Sequence, residues 1–85
     1  MEITANLLKL HDEWIIAQVE PVEGDTIPGD PDVWMVEPYL VDYEGKLVPW
    51  AEHSSEREFN VRSSDLIVVT NPSKTVLARY IECLE

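Results

Sequence analysis

The sequence predicts a mainly β fold, a small, strongly bent barrel of five antiparallel strands followed by one C-terminal helix. Three observations support this prediction. Short runs of β-branched and aromatic residues recur between clusters of turn-forming residues, as far as Thr70. After Asn71 the apolar residues change to the spacing of a helix. The 85 residues allow one domain, residues 1–85, and several short strands in so short a chain are typical of a small barrel.

The first strands are expected in the N-terminal third of the chain. Leu7, Leu8 and Leu10 fit either a short helix or a strand, and the pattern does not separate the two. After a polar turn, residues 14–19 form a β-branched and aromatic run of strand length. Residues 23–32 contain two glycines, two prolines and several acids, which indicates a loop.

Pro38 marks an irregular point in the next predicted strand. Residues 33–36 begin this strand and residues 39–41 resume it. Because proline has no backbone N–H to donate, a proline within a strand must lie at an edge, a bulge or a sharp bend.

Three further segments complete the predicted barrel. Glu44 and Gly45 supply a tight turn into a strand at residues 46–50. Residues 59–62 alternate between apolar and polar side chains, which is typical of a half-buried strand. Residues 66–70 form an apolar run that indicates a buried strand.

Residues 72–84 are predicted to form the C-terminal helix. Asn71 is a good N-cap and Pro72 suits the first helical position. The helix would carry one apolar stripe, made of Val76, Leu77, Tyr80, Ile81 and Leu84. We expect this stripe to pack across the chain's own barrel, and docking on another protein is the alternative.

The charge of the chain is strongly negative, at −11. Residues 10–45 contain ten acids and no Lys or Arg. Such a surface repels phosphate backbones, so nonspecific nucleic-acid binding is disfavoured. A local basic site is restricted to the neighbourhood of five residues, Lys46, Arg57, Arg62, Lys74 and Arg79.

The remaining composition predicts a cytoplasmic protein. Cys83 is the single cysteine, so no disulfide can form within the chain and nothing demands an oxidising compartment. The first five residues contain no Lys or Arg, which is unlike a signal peptide. No apolar run approaches the roughly 20 residues that span a bilayer, and no membrane partner is expected.

The C-terminal half resembles Sm-like proteins. Residues 61–69 (Val-Arg-Ser-Ser-Asp-Leu-Ile-Val-Val) resemble the second Sm motif, with Ser63 in place of the usual glycine. Further similarity lies in residues 47–50 and 58–61, in the pair Asn71-Pro72 and in Tyr80. Together they look like the Sm-like proteins of tailed phages, cyanophages in particular, and the likeness extends from Leu7 onward.

The resemblance implies a bent five-stranded barrel that forms a homo-oligomeric ring. In such rings the fourth strand of one subunit, here residues 59–62, pairs with the fifth strand of its neighbour, here residues 66–70. The interface candidates are Phe59, Val61, Leu66, Ile67, Val68 and Val69. An independent physical point agrees, because an apolar edge strand is an aggregation hazard unless another strand pairs with it, and a closed ring removes that edge.

The resemblance also implies RNA-binding candidates, Arg62 and Ser63. Arg62 matches an arginine that packs near the bound base in relatives. RNA-binding Sm proteins also use an asparagine in their first motif, but this chain has none between Asn6 and Asn60. Glu37 stands near the expected position, and its carboxylate can neither donate a hydrogen bond to a base nor attract phosphate. RNA recognition of the usual kind is therefore in doubt, and an interface ion pair is the alternative role for Arg62.

Other candidate sites have simpler interpretations. An aromatic platform of Trp34, Tyr39 and Trp50 could stack on bases, although aromatic residues in small barrels more often lie in the core or an interface. The acids of the 23–32 loop do not match a calcium loop, so a solvated loop is expected there. We therefore predict no metal and no cofactor.

No catalytic constellation is recognisable in the sequence. His53 precedes two serines, but adjacent residues of this kind lack the strained turn and oxyanion donors of acyl transfer. Cys83 is expected to be a packing residue of the helix. We therefore do not expect an enzyme.

Two functional hypotheses follow from the sequence. The first is an Sm-like ring with an RNA-related or scaffolding role in phage-infected cells, in the host cytoplasm if the chain is phage-encoded. The alternative is an acidic adaptor or nucleic-acid mimic that binds a basic protein and no RNA. Ring size and physiological partner are left open by both.

Overall fold

The computed structural model describes residues 4–21 and 30–85. These residues form one antiparallel sheet and a C-terminal α-helix. The strands are β1 (Asn6–Leu10), β2 (Glu13–Pro21), β3 (Val33–Val41), β4 (Leu47–Pro49), β5 (Glu58–Val61) and β6 (Leu66–Thr70), and the helix is α1 (Lys74–Leu84). The predicted loop at residues 23–32 lies mostly outside the described residues.

The sheet has the strand order β4-β3-β2-β1-β6, and β5 also pairs with β3. The C-terminal half of β3 pairs with β4, and its N-terminal half pairs with β5. Within residues 4–21 and 30–85, β5 pairs only with β3 and β6 pairs only with β1, so the sheet does not close on itself. The mainly β antiparallel fold with a C-terminal helix is confirmed. The closed barrel of five strands is not confirmed, since these residues form six strands in an open sheet.

One hydrophobic cluster lies on one face of the sheet. Leu8, Ile15, Ala17 and Met35 are fully buried in it. Ile15 and Ala17 alternate along β2 with a period of two, as expected for one face of a strand. Partly buried residues complete the cluster, namely Leu10, Val19, Trp50, Phe59, Val61 and Leu66.

A second cluster joins the helix to the opposite face of the sheet. Ile16 from β2 and Tyr80 from α1 are fully buried there, and Ala5 is almost so. Val76, Leu77 and Leu84 of the helical stripe pack against them. The prediction that this stripe packs on the chain's own sheet is confirmed.

The helix begins later than the sequence predicts. Its N-cap is Ser73, whose Oγ accepts a hydrogen bond from the Val76 N–H at 3.2 Å, and the first helical residue is Lys74. Asn71 and Pro72 instead belong to the connection from β6. Serine and asparagine cap about equally well, and the capping hydrogen bond is made by Ser73.

The irregular point at Pro38 is a β-bulge. Glu37 and Pro38 together lie opposite Ala17, because the pairing of β2 with β3 shifts between Ile16 and Gln18. Glu37 adopts a left-handed conformation with φ of +49°, which residues other than glycine rarely adopt. The bulge divides β3 into the halves that pair with β4 and β5.

The side chains of Arg57 and Tyr80 satisfy the carbonyl groups of the bulge. Arg57 donates from Nη2 to the Pro38 oxygen at 2.6 Å and from Nη1 to the Trp50 oxygen at 2.9 Å. The Tyr80 hydroxyl donates to the Glu37 oxygen at 2.9 Å. Burial raises the pKa of Tyr80, so its hydroxyl remains protonated and able to donate.

Candidate functional site

The predicted RNA-binding residues lie in the turn between β5 and β6. This turn is a short 3₁₀ helix, Ser63–Asp65, and Arg62 precedes it. The Arg62 guanidinium donates from Nε to Asp65 Oδ2 at 2.9 Å and from Nη2 to Asp65 Oδ1 at 3.3 Å. Two of its five N–H donors are thus engaged by a carboxylate of the same chain, although the Arg62 side chain is about half exposed.

A second carboxylate holds the same turn from the other side. Asp32 accepts from the Ser63 backbone N–H at 2.7 Å and from the Ser63 hydroxyl at 2.8 Å. The Asp32 N–H also donates to the Val61 oxygen at 3.1 Å. The two hydrogen bonds from Ser63 lower the pKa of Asp32, because they stabilise the ionised carboxylate.

The acid beside Ser63 is therefore Asp32, and Glu37 lies elsewhere. Glu37 belongs to the bulge, where its carboxylate contacts Arg57 at 3.4 Å. Asp32 and Ser63 are 31 positions apart in the chain. The sequence suggests the aspartate only as part of a turn-rich loop, so its role at this site was missed.

The pocket beside this turn is shallow and poorly suited to a nucleotide. Its volume is about 290 Å³, and Leu10, His11, Pro31, Asn60, Val61, Arg62 and Asp65 line it. Its arginine is already paired, and Asp65 adds a carboxylate that repels phosphate. The arrangement is better suited to fixing the geometry of the β5–β6 connection than to holding an anion.

Asp32→Asn is expected to destabilise the fold more at neutral pH than at pH 3. The folded-state pKa of Asp32 lies below its ordinary value of 3.8. Its stabilising contribution is therefore present above the unfolded pKa and is lost as the pH falls through the folded pKa. Urea unfolding of the variant and of the wild type at several pH values measures this difference. Asp30→Asn, two residues earlier, is the matched control, and an equal effect of both changes at pH 7 would contradict the prediction.

The strand after the turn, β6, carries an exposed apolar surface at one end of the sheet. Ile67, Val68 and Val69 have exposed fractions of 63%, 37% and 55%. Val69 pairs with Leu8, so the two side chains belong to the same face of the sheet. Leu8 is fully buried while Val69 is largely exposed, so the apolar inner face extends beyond what residues 4–21 and 30–85 cover.

The other predicted interface residues lie inside the chain. Phe59, Val61 and Leu66 are half-buried and pack against the inner cluster. Phe59 contacts Trp50 in an edge-to-face arrangement, with ring centroids 5.1 Å apart. For β5, the surface available to a partner is consequently the backbone edge rather than these side chains.

The aromatic platform considered from the sequence is not assembled in the described structure. Trp50 belongs to the inner cluster, whereas Tyr39 packs on the helix side, 5.8 Å from Tyr80 between ring centroids. Trp34 is 40% exposed and lies on β3. Because Trp50 and Tyr39 lie on opposite faces of the sheet, the three rings do not form one platform for successive bases.

The remaining candidates are distributed over the surface. Cys83 is exposed, so its prediction as a packing residue is wrong. Asp25 lies outside the described residues, and the residues that are described contain no group of three or more metal-ligating side chains. His53 lies in an exposed turn, where the Ser54 hydroxyl accepts from the Glu56 N–H at 3.0 Å.

The whole sequence, residues 1–85, matches one family model, described as a family of unknown function, DUF6561. The chain belongs to this family. No curated protein matches it. The family description names neither an activity nor a ligand, so inferences about function depend on the surfaces described above. Among the residues that the structure places, no helix is long and apolar enough to span a membrane.

Proposed function

We propose that this member of the DUF6561 family is an Sm-like protein that forms a homo-oligomeric ring and acts as a scaffold. In this proposal β6 of each subunit pairs with β5 of the next. The observation that carries the proposal is the exposed apolar edge of β6. An apolar strand with a free edge recruits another strand, and a closed ring satisfies every such edge.

The position of the two free edges supports a ring over a symmetric dimer. β5 and β6 are consecutive strands joined by a short turn. They nevertheless lie at different edges of the sheet, since β5 pairs with β3 and β6 pairs with β1. Pairing between unlike edges is a head-to-tail contact, which repeats from subunit to subunit until it closes. In this proposal the Sm-like barrel consists of five strands in the order β6-β1-β2-β3-β5. The three-residue β4 is an additional strand.

The hydrogen bonds of the β5–β6 turn support scaffolding over RNA binding. Arg62 is paired with Asp65, and Ser63 is held by Asp32, so both RNA-binding candidates are engaged within the chain. Each ring subunit would add a net charge of −11, which further disfavours a polyanion. A phage-type ring of this kind would act in the cytoplasm of the infected cell.

Light scattering coupled to size exclusion at physiological salt tests the assembly. The expected result is a single mass of several subunits that persists on dilution. A monomer would contradict the ring, and a dimer would indicate a symmetric pairing of two β6 edges instead.

Arg62→Ala is expected to leave the behaviour towards RNA unchanged. Since the Arg62 charge is neutralised by Asp65, wild type and variant should both fail to shift a labelled uridine-rich RNA at about 0.15 M salt. The Arg62→Lys variant retains the charge and serves as the control. If RNA elutes with the wild-type ring and not with Arg62→Ala, the scaffold role is wrong and an RNA-binding ring replaces it.

A further inference from the structure

A groove lies beside the first turn of α1, on the helix-covered face of the sheet. Its volume is about 580 Å³. The β1–β2 turn, the end of β3 and the start of the helix form its walls. The apolar lining residues are Leu7, Trp14, Leu40, Val41 and Val76. Within the described chain, no residue of β5 or β6 lines it, so the groove is independent of the proposed ring contact.

All the charged side chains that line this groove are acidic. They are Asp12, Glu13 and Asp42, and Lys, Arg and His are absent from the described lining. Asp12 and Glu13 are exposed, whereas one oxygen of Asp42 accepts from the Glu44 and Lys46 N–H groups. The helix N-terminus at Ser73 contributes only about half a positive charge, and its first turn is capped. The carboxylates therefore determine the sign of the potential.

Two aromatic side chains also line this groove. Trp14 is 36% exposed, and the Lys9 Nζ of the same chain lies 5.6 Å from its ring centroid. This ammonium group occupies one face of the ring and offsets one of the three acidic charges, so the groove keeps a net negative charge. Tyr43 is 98% exposed, at the tip of the turn after β3. Burial of such exposed tyrosines by a partner is a common source of binding energy at interfaces.

We propose that this groove binds a basic segment of another protein, with an apolar side chain of that segment in the groove and a flanking Lys or Arg against the carboxylates. Charge complementarity selects this occupant. A second copy of the chain is expected at the β5 and β6 edges instead, and neither strand lines this groove. Nucleic acids and acidic membranes are repelled by the same carboxylates.

A capped peptide of alternating residues, acetyl-Lys-Leu-Lys-Leu-Lys-amide, is the probe for this site, and binding is measured by calorimetry. We expect saturable binding that weakens as salt is raised. The peptide with glutamate in place of lysine contains the same leucines, and it should not bind. Binding of both peptides with equal affinity would contradict the proposal, as would no binding of the lysine peptide up to about 1 mM.

Variants then locate the binding. Asp12→Asn combined with Glu13→Gln should weaken the lysine peptide about tenfold, since two ion pairs near the protein surface are lost. Tyr43→Ala should weaken it severalfold without affecting the fold, because the side chain is almost fully exposed. Glu82→Gln combined with Glu85→Gln removes the same charge at the far end of α1 and should change affinity by less than twofold. An equal loss in this control would mean that general charge attraction accounts for the binding, and the groove proposal would be wrong.

Discussion

Replacing Ile67 by lysine is expected to convert the proposed ring into monomers. The Ile67 side chain is 63% exposed in the single chain, so lysine is accommodated there without disturbing the core. In the ring, the same side chain would be covered by the neighbouring subunit. Lysine on an edge strand is a device by which natural proteins prevent strand pairing, because burial of its charge costs several kcal/mol. We therefore expect assembly to be weakened by more than a hundredfold.

The mass measured by light scattering distinguishes this effect from simple unfolding. The Ile67→Lys variant should retain its circular dichroism spectrum and elute at the mass of one chain, and Val69→Lys should do the same. Val48→Lys is the matched control, since Val48 is a similarly exposed valine, 42% accessible, on β4. It should preserve the ring. If Ile67→Lys and Val48→Lys keep the wild-type mass, assembly does not use β6.

Periodicity and turn chemistry were sufficient to predict most elements of the fold. The run at residues 66–70 corresponds to β6 within the same bounds, but the prediction that this strand is buried is wrong, since four of its five residues are exposed. Pro38 lies at a bulge, one of the three places that its missing N–H allows. Local pattern was insufficient for β1. Leu7, Leu8 and Leu10 fit the period of a helix and the period of a strand equally well. Pairing with β2 and β6 makes this segment a strand. β1 and β2 form a hairpin across a two-residue turn, whereas the contacts between β1 and β6 join distant parts of the chain, which a local pattern does not record.

At the candidate site too, contacts between residues close in the sequence could be predicted, and contacts between distant residues could not. The sequence placed Arg62 at the end of the predicted strand 59–62, whereas β5 ends at Val61 and Arg62 directly precedes the turn that begins at Ser63. The hydrogen-bond partners of Arg62 and Ser63 differ in how easily the sequence predicts them. Asp65 follows Arg62 by three residues and is easily inferred, whereas Asp32 reaches Ser63 across 31 positions. Cys83 was misassigned because helical spacing next to Leu84 does not define which face the thiol occupies.

Arg57 is the residue whose importance the sequence concealed most, since it appeared only as one of a few basic side chains. Its guanidinium joins β3 to the segment after β4, through the carbonyl oxygens of Pro38 and Trp50. Its own backbone oxygen accepts from the Glu37 N–H at 2.8 Å. Arg57 thus holds the bulge, which contains the left-handed Glu37, through both its own main chain and its own side chain.

Arg57→Met is consequently expected to lower the free energy of unfolding by about 3 kcal/mol. Two charge-assisted hydrogen bonds to carbonyl groups are lost, each contributing roughly 1.5–3 kcal/mol, and partial access of water offsets some of the loss. The ion pair with Glu37 adds little, because both side chains are about one-third exposed. Since a domain of this size has a total stability on the order of 5 kcal/mol, the variant should be close to unfolding at 37 °C.

Urea unfolding in the Ile67→Lys background isolates this effect from any contribution of assembly. Arg57→Lys should recover only a small part of the loss, because an ammonium group lacks the planar fork that reaches two carbonyl oxygens at once. Arg79→Met is the matched control. Arg79 also donates to a backbone carbonyl, that of Gly45 at 2.8 Å, but it is exposed, and its loss should cost no more than about 0.5 kcal/mol. Equal destabilisation by Arg57→Met and Arg79→Met would mean that the bulge is stable without the guanidinium. The Tyr80 hydroxyl on the Glu37 oxygen and the Trp50 N–H on the Pro38 oxygen would then suffice to maintain it.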